Sequence, residues 1–354
     1  LQTTILNSWV SCRTTGYLCL KISTQTLDYK TYKTPIGKRI ESPHDFAEVQ
    51  ICDIYTTKKD TYRERIQQIV DKRLSLYDCN VGAEAYFPPD APQEQAIAAI
   101  REKYVKDHPT TGRGHRPSDD ATRYSRPDYI RDLGGMKKSR SSYSYAGFDQ
   151  LVHISSGVVR HFLEAASAMY SEARSRTQKP TIEFIPPNVQ DEIVKKLANK
   201  LLFDDFMVME NDEDLQGDNA DNVKLLRNLI HALGGTFYKA ILSNRSERRV
   251  FSIAFTDGPS PDVQQVLNLG VKYGYFHPSS IGNKEGTGRV PLYILNRRLA
   301  PAFKLDPTSF AGYLFVKNEA IVEAMQRPKT LLNRIGTTNI DEILSDSAQG
   351  ELFQ

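Results

Sequence analysis

The sequence predicts a helix-rich α+β protein, and three observations lead to this class. Apolar residues recur at steps of three and four over residues 144–174 and 223–242, which is the spacing of amphipathic helices. Short apolar runs of strand type, TGYLCLKIST at 15–24 and RVFSIAF at 249–255, stand between such helices. The glycine-rich stretch GNKEGTG at 282–288 separates two further short runs, as the tip of a hairpin does.

Length and composition limit the possible classes of function but do not identify one. A chain of 354 residues suits two or three domains, and 40% hydrophobic with 25% charged residues is ordinary for a soluble globular protein. The net charge of +3 is too small to imply a nucleic-acid partner by itself. The longest apolar runs fall well short of the roughly 20 residues of a membrane span, so we expect no membrane partner and a cytoplasmic location.

Cysteine and histidine spacing argues against a metal site or a disulfide framework. Cys12, Cys19, Cys52 and Cys79 have no C-x-x-C spacing, and all lie in the first quarter of the chain. We expect them to be buried, reduced thiols. The histidines show no H-x-x-x-H or H-E-x-x-H spacing, so no metal is expected.

The first elements are those of an α/β sheet edge. Residues 1–13 place Leu1, Ile5 and Trp9 on one helical face, and the run at 15–24 is expected to be a buried strand that ends in the polar Ser23 and Thr24. Further elements follow in order: a hairpin at 29–42, a strand at 47–55 and a helix at 58–77.

Residues 78–143 are the least regular part, apart from a helix from Pro92 to Val105. The arginines of residues 113–140, with aromatic residues between them, allow a nucleic-acid or phosphate-contacting insertion. A solvated, partly disordered loop is the favoured alternative.

Arg160 stands out in the most strongly patterned helical stretch. Ser155, Ser156 and Gly157 interrupt its apolar periodicity, which predicts one helix ending near Ile154 and a second starting near Ser156. Arg160 then lies in the first turn of the second helix. A cation there opposes the positive end of the helix dipole, so we expect an anion nearby.

A further helix is predicted to start at Pro186 and Pro187, and the acidic stretch 210–222 reads as a linker. The last region then reads as a winged helix, although Gly234 and Gly235 are expected to weaken or bend its first helix and one helix fewer than usual follows the first strand.

Ser260 caps and Pro261 starts the helix that would read DNA. Its polar face, with cations on the following hairpin, can contact bases or phosphates, although such faces are equally common on plain surface helices. The candidate DNA-binding residues are Gln264, Gln265, Asn268, Lys272, Lys284 and Arg289.

The segment SSGVVRHFLEAAS at 155–167 resembles the sensor 2 helix of AAA+ ATPases of the origin-recognition and replication-initiator type. The resemblance implies that Gly157 is the helix-start glycine and that Arg160 reads the nucleotide phosphates. It also implies that Thr24 or Ser23 is the polar sensor 1 residue near the γ-phosphate. The order of elements then predicts strands of an AAA+ core edge at 1–57, a helical lid at 58–179, a helix and acidic linker at 180–222, a winged helix at 223–327 and a peripheral tail at 328–354.

No G-x-x-x-x-G-K-[ST] motif occurs in the chain, and no acidic Walker B pair precedes Thr24. We therefore expect the ATP-cradling core to lie before Leu1 in a longer protein that binds ATP and Mg²⁺, and any ATPase activity would belong to that complete protein. This chain alone is expected to bind no cofactor and to hydrolyse no ATP.

Three interpretations stay open at this point. The first is an ATP-dependent DNA-binding switch of initiator type that can self-associate through its AAA+ interface. The second is a signalling or defence NTPase whose winged helix contacts protein, which would show lid-to-winged-helix docking and no salt-dependent DNA affinity. The third is a non-enzymatic winged-helix regulator.

Overall fold

The computed structural model describes residues 2–12, 19–24, 29–49, 59–107, 117–135, 142–177, 181–212, 218–243, 249–282, 288–308 and 312–334. Within these ranges the protein is helix-rich α+β, which confirms the predicted class. The helices are α1 (Asn7–Val10), α2 (Lys59–Ser75), α3 (Ala83–Tyr86), α4 (Ala91–Asp107), α5 (Pro117–Gly135), α6 (Phe148–Ile154), α7 (Val159–Thr177), α8 (Pro187–Asn199), α9 (Asp205–Glu210), α10 (Asp218–Leu242), α11 (Pro261–Lys272), α12 (Asn318–Gln326) and α13 (Lys329–Arg334). The strands are β1 (Val250–Phe255), β2 (Phe276–Gly282), β3 (Arg289–Leu295) and β4 (Gly312–Val316).

The strands form one mixed sheet in the order β2-β3-β1-β4. β3 pairs antiparallel with both β2 and β1, and β4 pairs parallel with β1. β4 was not predicted. Its first residue, Gly312, lies so close to β1 that a Cβ would meet the Arg249 carbonyl oxygen at 2.1 Å, so the pairing requires glycine there.

The C-terminal helix, strand, helix and hairpin occur in the predicted order. Ser260 caps α11 by accepting a hydrogen bond from the Val263 amide, as predicted. α10 is continuous through Gly234 and Gly235, so the two glycines do not interrupt it. Gly234 serves close packing instead, because a Cβ there would meet the ring of Phe303 at 2.4 Å.

A single hydrophobic cluster of buried residues runs from Tyr62 on α2 to Leu331 on α13. It includes α6, α7 and α8 together with α10, α11, α12 and the sheet. Leu331 is buried in it, so α13 is part of the core although the sequence after Pro328 was expected to be peripheral. No helix in the described ranges is both long and apolar enough to cross a membrane.

The extended segment 142–147, here called the strap, crosses the interior without a strand partner, and the side chains of three glutamines and of Asp191 bond its backbone. Gln93 of α4 bonds both the amide and the carbonyl of Ser144, each at 2.8 Å. Gln190 of α8 accepts from the Gly147 amide at 2.8 Å, and Gln150 of α6 donates to the Ala146 carbonyl at 2.8 Å. The three glutamines are buried, and the Asp191 carboxylate of α8 accepts from the Tyr145 amide at 2.9 Å, so neutral side chains and one charged side chain join the strap to three helices.

The N-terminal segment differs from the predicted sheet edge. Residues 19–24 form no strand and are mostly exposed, and Ile5 and Trp9 are exposed rather than buried. In the hairpin predicted at 29–42, the β pairing is an isolated antiparallel bridge between Lys33 and Arg39. A strand requires a partner ladder, and this bridge is the one β pairing among the described residues of the segment. Cys12 and Cys19 are exposed, which corrects their predicted burial, and Cys52 lies outside the described residues.

The stretch read as a solvated loop is largely helical. Within it, residues 117–135 form α5, which packs against α4, the helix predicted from Pro92 to Val105. Arg126 of α5 makes an ion pair with Glu94 of α4 at 2.8 Å and donates to the Tyr143 hydroxyl at 2.7 Å. Neither predicted alternative therefore fits Arg126, which holds the two helices together.

Candidate functional site

The turn Ser155–Gly157 between α6 and α7 presents Arg160. Helix α6 ends at Ile154, as predicted, but α7 begins at Val159, three residues later than Ser156. Ser156 and Gly157 have φ values of 52° and 80°, which lie in the left-handed region and end the helical path. Gly157 therefore starts the new helix direction, in the place that the sequence assigned to it.

Two buried serine hydroxyls tie this turn to distant elements. Ser155 Oγ donates to the Val152 carbonyl at 2.6 Å and is hydrogen-bonded to the Tyr62 hydroxyl of α2 at 2.8 Å. Ser156 Oγ accepts from the Arg297 amide at 2.8 Å. The second helix was predicted to start near Ser156, and this side chain instead satisfies the backbone at the start of a 3₁₀ turn, Arg297–Leu299, that follows β3.

Arg160 is exposed in the first turn of α7, as the sequence predicts. Its guanidinium makes no hydrogen bond or ion pair with any described residue. An arginine at the positive end of a 19-residue helix, with no anionic partner in the described part of the chain, is available to an external anion.

The neighbouring groups leave Arg160 as the source of positive charge at this end of α7. Burial and the nearby Arg298 lower the pKa of His161 to about 4, and burial and Arg297 lower that of His277 to about 4. Both imidazoles are therefore neutral at pH 7. Arg298 is paired with Glu164 at 3.2 Å, which leaves Arg160 as the unpaired cation among these described residues.

Ser23 and Thr24 lie in an exposed segment without regular structure. No hydrogen bond joins either residue to Arg160.

α11 presents the predicted polar face in front of the hairpin. Its apolar stripe, from Val263 to Val271, is buried, whereas Gln265, Asn268 and Lys272 are exposed. Gln264 is half-buried because its amide is hydrogen-bonded to the Tyr293 hydroxyl of β3. The sequence therefore identified the face correctly, but Gln264 belongs to its edge.

On the hairpin, Arg289 is exposed at the start of β3 and folds back onto β2. Its guanidinium donates to Ser280 Oγ at 2.7 Å and to the Ser280 carbonyl at 2.6 Å. Lys284 lies outside the described residues.

Sequence reasoning missed the residues that connect the two candidate sites. Arg297 is 2% exposed, its Nε donates to the Pro307 carbonyl, and its guanidinium lies 5.2 Å from the centre of the Phe251 ring. Asn296, whose side chain accepts from the Arg298 amide, is a recognisable helix cap in the sequence. Nothing local indicates that Arg297 is buried or that Ser156 reaches it.

The fold and the two surfaces define a class of protein: a helical unit with an arginine at a helix start, docked on a small C-terminal sheet with a polar helix before its hairpin. A family model described as ORC-CDC6-like matches residues 1–119 and 107–315. The chain belongs to the ORC-CDC6-like family, which confirms its resemblance to AAA+ proteins of the initiator type. No curated protein and no solved structure matches it.

Proposed function

We propose that the chain is the C-terminal portion of an ATP-dependent AAA+ switch protein of initiator type, which couples ATP binding to DNA binding. Family membership supports the AAA+ assignment. The order α10, β1, α11, β2 and β3 supports a winged helix in which α11 enters the major groove and the β2–β3 hairpin is the wing. A cytoplasmic location and self-association through an AAA+ interface belong to the same proposal.

The observation that carries the proposal is the hydrogen bond between Ser156 and Arg297. Ser156 lies four residues before Arg160, and Arg297 lies two residues after the end of β3. A phosphate that draws Arg160 towards it would move the start of α7 and, through this bond, the end of the hairpin strand. Packed elements joined in this way are the physical route by which two sites can share one equilibrium.

The residues take the following roles in this proposal. Arg160 contacts the γ-phosphate, Gly157 allows the start of its helix, and Thr24 or Ser23 senses the same phosphate. ATP and Mg²⁺ would be cradled by the phosphate-binding motifs of an AAA+ core, and because G-x-x-x-x-G-K-[ST] does not occur in this sequence, this chain alone would bind neither. DNA would be contacted by Gln265, Asn268, Lys272, Lys284 and Arg289, with Gln264 at the edge of that face.

Fluorescence anisotropy of the whole chain with duplex DNA over a salt series tests the DNA part. The logarithm of the binding constant should fall linearly with the logarithm of salt concentration, because phosphate contacts release counterions. Replacing Lys272 and Lys284 by alanine should reduce the slope by about 2. Lys106→Ala, at an exposed site on α4, is the matched control and should leave the slope unchanged. A negligible signal for the wild-type chain would exclude this function.

The ATP part needs a protein in which this chain is joined to an ATP-cradling core. There, ATP should change the DNA affinity and ADP should not, and Arg160→Ala should abolish the difference while leaving the nucleotide-free DNA affinity intact. A difference between ATP and ADP that persists in the variant would remove Arg160 from the switch.

The docking of the helical unit on the C-terminal unit favours one alternative. The Tyr145 hydroxyl donates to the carbonyls of Ala300 and Leu305, and the Tyr275 hydroxyl donates to the Leu201 carbonyl. Such docking is expected of a signalling or defence NTPase whose winged helix contacts protein. The anisotropy titration over a salt series distinguishes the two functions, because the signalling or defence NTPase predicts no DNA affinity.

A further inference from the structure

Three side chains form a short relay from the sheet to the outer face of α11. Gln264 Nε2 donates to the Tyr293 hydroxyl at 3.0 Å and to Asn268 Oδ1 at 2.7 Å. The Tyr293 hydroxyl donates back to Gln264 Oε1 at 3.2 Å. Tyr293 is 6% exposed, Gln264 is half-buried and Asn268 is exposed, so the relay leads from the core to the surface.

The inner end of the relay is held in place. The Tyr293 ring packs edge-on against the rings of Phe255, at 6.2 Å between centroids, and Phe276, at 6.4 Å. These contacts fix the position of its hydroxyl. Both N–H groups of the Gln264 amide are used, one towards Tyr293 and the other towards Asn268.

At the outer end of the relay, the oxygen and the nitrogen of the Asn268 amide have different hydrogen-bonding roles. Asn268 Oδ1 accepts the hydrogen bond from Gln264, which occupies one of its two lone pairs and fixes the side of the amide on which the oxygen lies, so the Nδ2 group with its two N–H donors is the part of the amide turned away from Gln264. Lys272 lies one helical turn further on, and its ammonium group can donate hydrogen bonds but cannot accept them. The exposed centre of α11 therefore offers hydrogen-bond donors.

We propose that Tyr293 and Gln264 are positioning residues that present Asn268 as a donor, so that α11 selects a base edge composed of acceptors. In the major groove, guanine offers two acceptors, N7 and O6. Adenine offers N7 and a donating N6 amino group, and its bidentate recognition by asparagine uses the oxygen that Gln264 engages here. The proposal therefore predicts guanine over adenine opposite Asn268, and it rests on the DNA-binding function proposed above.

Selection from a random duplex library with the whole chain, followed by anisotropy on the selected site, tests the relay. The wild type should enrich guanine at one position and bind that site at least about fivefold more tightly than its adenine variant. Tyr293→Phe keeps the ring and removes the hydroxyl, and it should bring this ratio close to one with an unchanged salt slope. Gln264→Ala should do the same without a change in the core.

Two further variants separate selection from affinity. Asn268→Asp replaces the donor with an acceptor and should disfavour guanine. Lys272→Ala should weaken all sequences alike and reduce the salt slope by about 1. Thermal unfolding by circular dichroism verifies that each variant is folded.

The outcomes distinguish the two proposals. If the wild-type chain binds no DNA, the DNA-binding function fails and the relay proposal fails with it. If the wild type binds DNA without a preference for guanine, or if the preference survives in both Tyr293→Phe and Gln264→Ala, the relay proposal alone is overturned.

Discussion

Ser156 and Arg297 are 141 positions apart in the chain and are joined by a hydrogen bond of 2.8 Å between the serine hydroxyl and the arginine amide. Ser156 is 1% exposed and Arg297 is 2% exposed, so water cannot replace either partner. The turn that presents Arg160 and the 3₁₀ turn that follows the hairpin are thus one hydrogen-bonded unit.

Removal of the serine hydroxyl should destabilise the protein. Ser156→Ala leaves the Arg297 amide buried without its partner, and we expect a loss of about 1–3 kcal/mol in the free energy of unfolding. Denaturant unfolding measures it. Ser75→Ala, which removes an exposed hydroxyl bonded to the Lys72 carbonyl, should cost less than about 0.5 kcal/mol. Equal effects at the two positions would refute a special role for Ser156.

A methyl group at Gly234 should collide with Phe303. We expect Gly234→Ala to destabilise by about 1–3 kcal/mol, because overpacking exceeds the gain in helix propensity. Combining it with Phe303→Leu should recover part of the loss, since the smaller side chain makes room. Gly282→Ala, with nothing within 4 Å of its Cβ, serves as the control in thermal unfolding.

Loss of the Arg126 guanidinium should loosen the α4–α5 pair without affecting DNA. The ion pair with Glu94 is partly buried, so we expect Arg126→Ala to cost about 2–3 kcal/mol in the free energy of unfolding. Lys106→Ala breaks an exposed pair with Glu102 and should have no measurable effect. A reduced salt slope for DNA binding in folded Arg126→Ala would show instead that this arginine contacts phosphate.

Acid should destabilise the protein through His231, whose ring lies beside those of Phe203 and Phe303. Burial, and secondarily Arg227, lowers its pKa from 6.5 to about 4. The unfolded chain therefore binds the proton first, and stability falls as the pH decreases from about 6.5 to about 4. The loss should be about 3 kcal/mol from this residue.

Melting temperatures recorded across this pH range test the effect. His231→Gln does not titrate, so its stability should depend less steeply on pH than that of the wild type. His161 and His277 shift in the same direction and will account for a further part of the acid sensitivity. Identical pH profiles for the variant and the wild type would exclude His231 as a contributor.

Features with local signals were predictable from the sequence. The end of α6 at Ile154, the Ser260 cap and the hairpin at 276–295 depend on neighbouring residues, and all were placed correctly. The same holds for Arg160 in the first turn of α7.

Features that depend on distant partners were not predictable. β4 exists because Gly312 permits close pairing with β1, and Ser156 acts on a residue that only the fold brings near. The strand expected at 15–24 shows that a local signal is insufficient without a distant partner. Residues 19–24 are apolar enough for a strand but pair with no other strand among the described residues.

The strap at 142–147 affects how the salt dependence of DNA binding is interpreted. Its glutamine bonds to the Ser144 and Gly147 backbone join uncharged groups, which added ions do not screen. Ionic strength can therefore be varied in a DNA titration while these glutamine bonds join α4, α6 and α8; the bond from the Tyr145 amide to the Asp191 carboxylate is the charged contact of the strap. A loss of binding at high salt will then measure the ligand leaving the protein surface rather than the loosening of this joint.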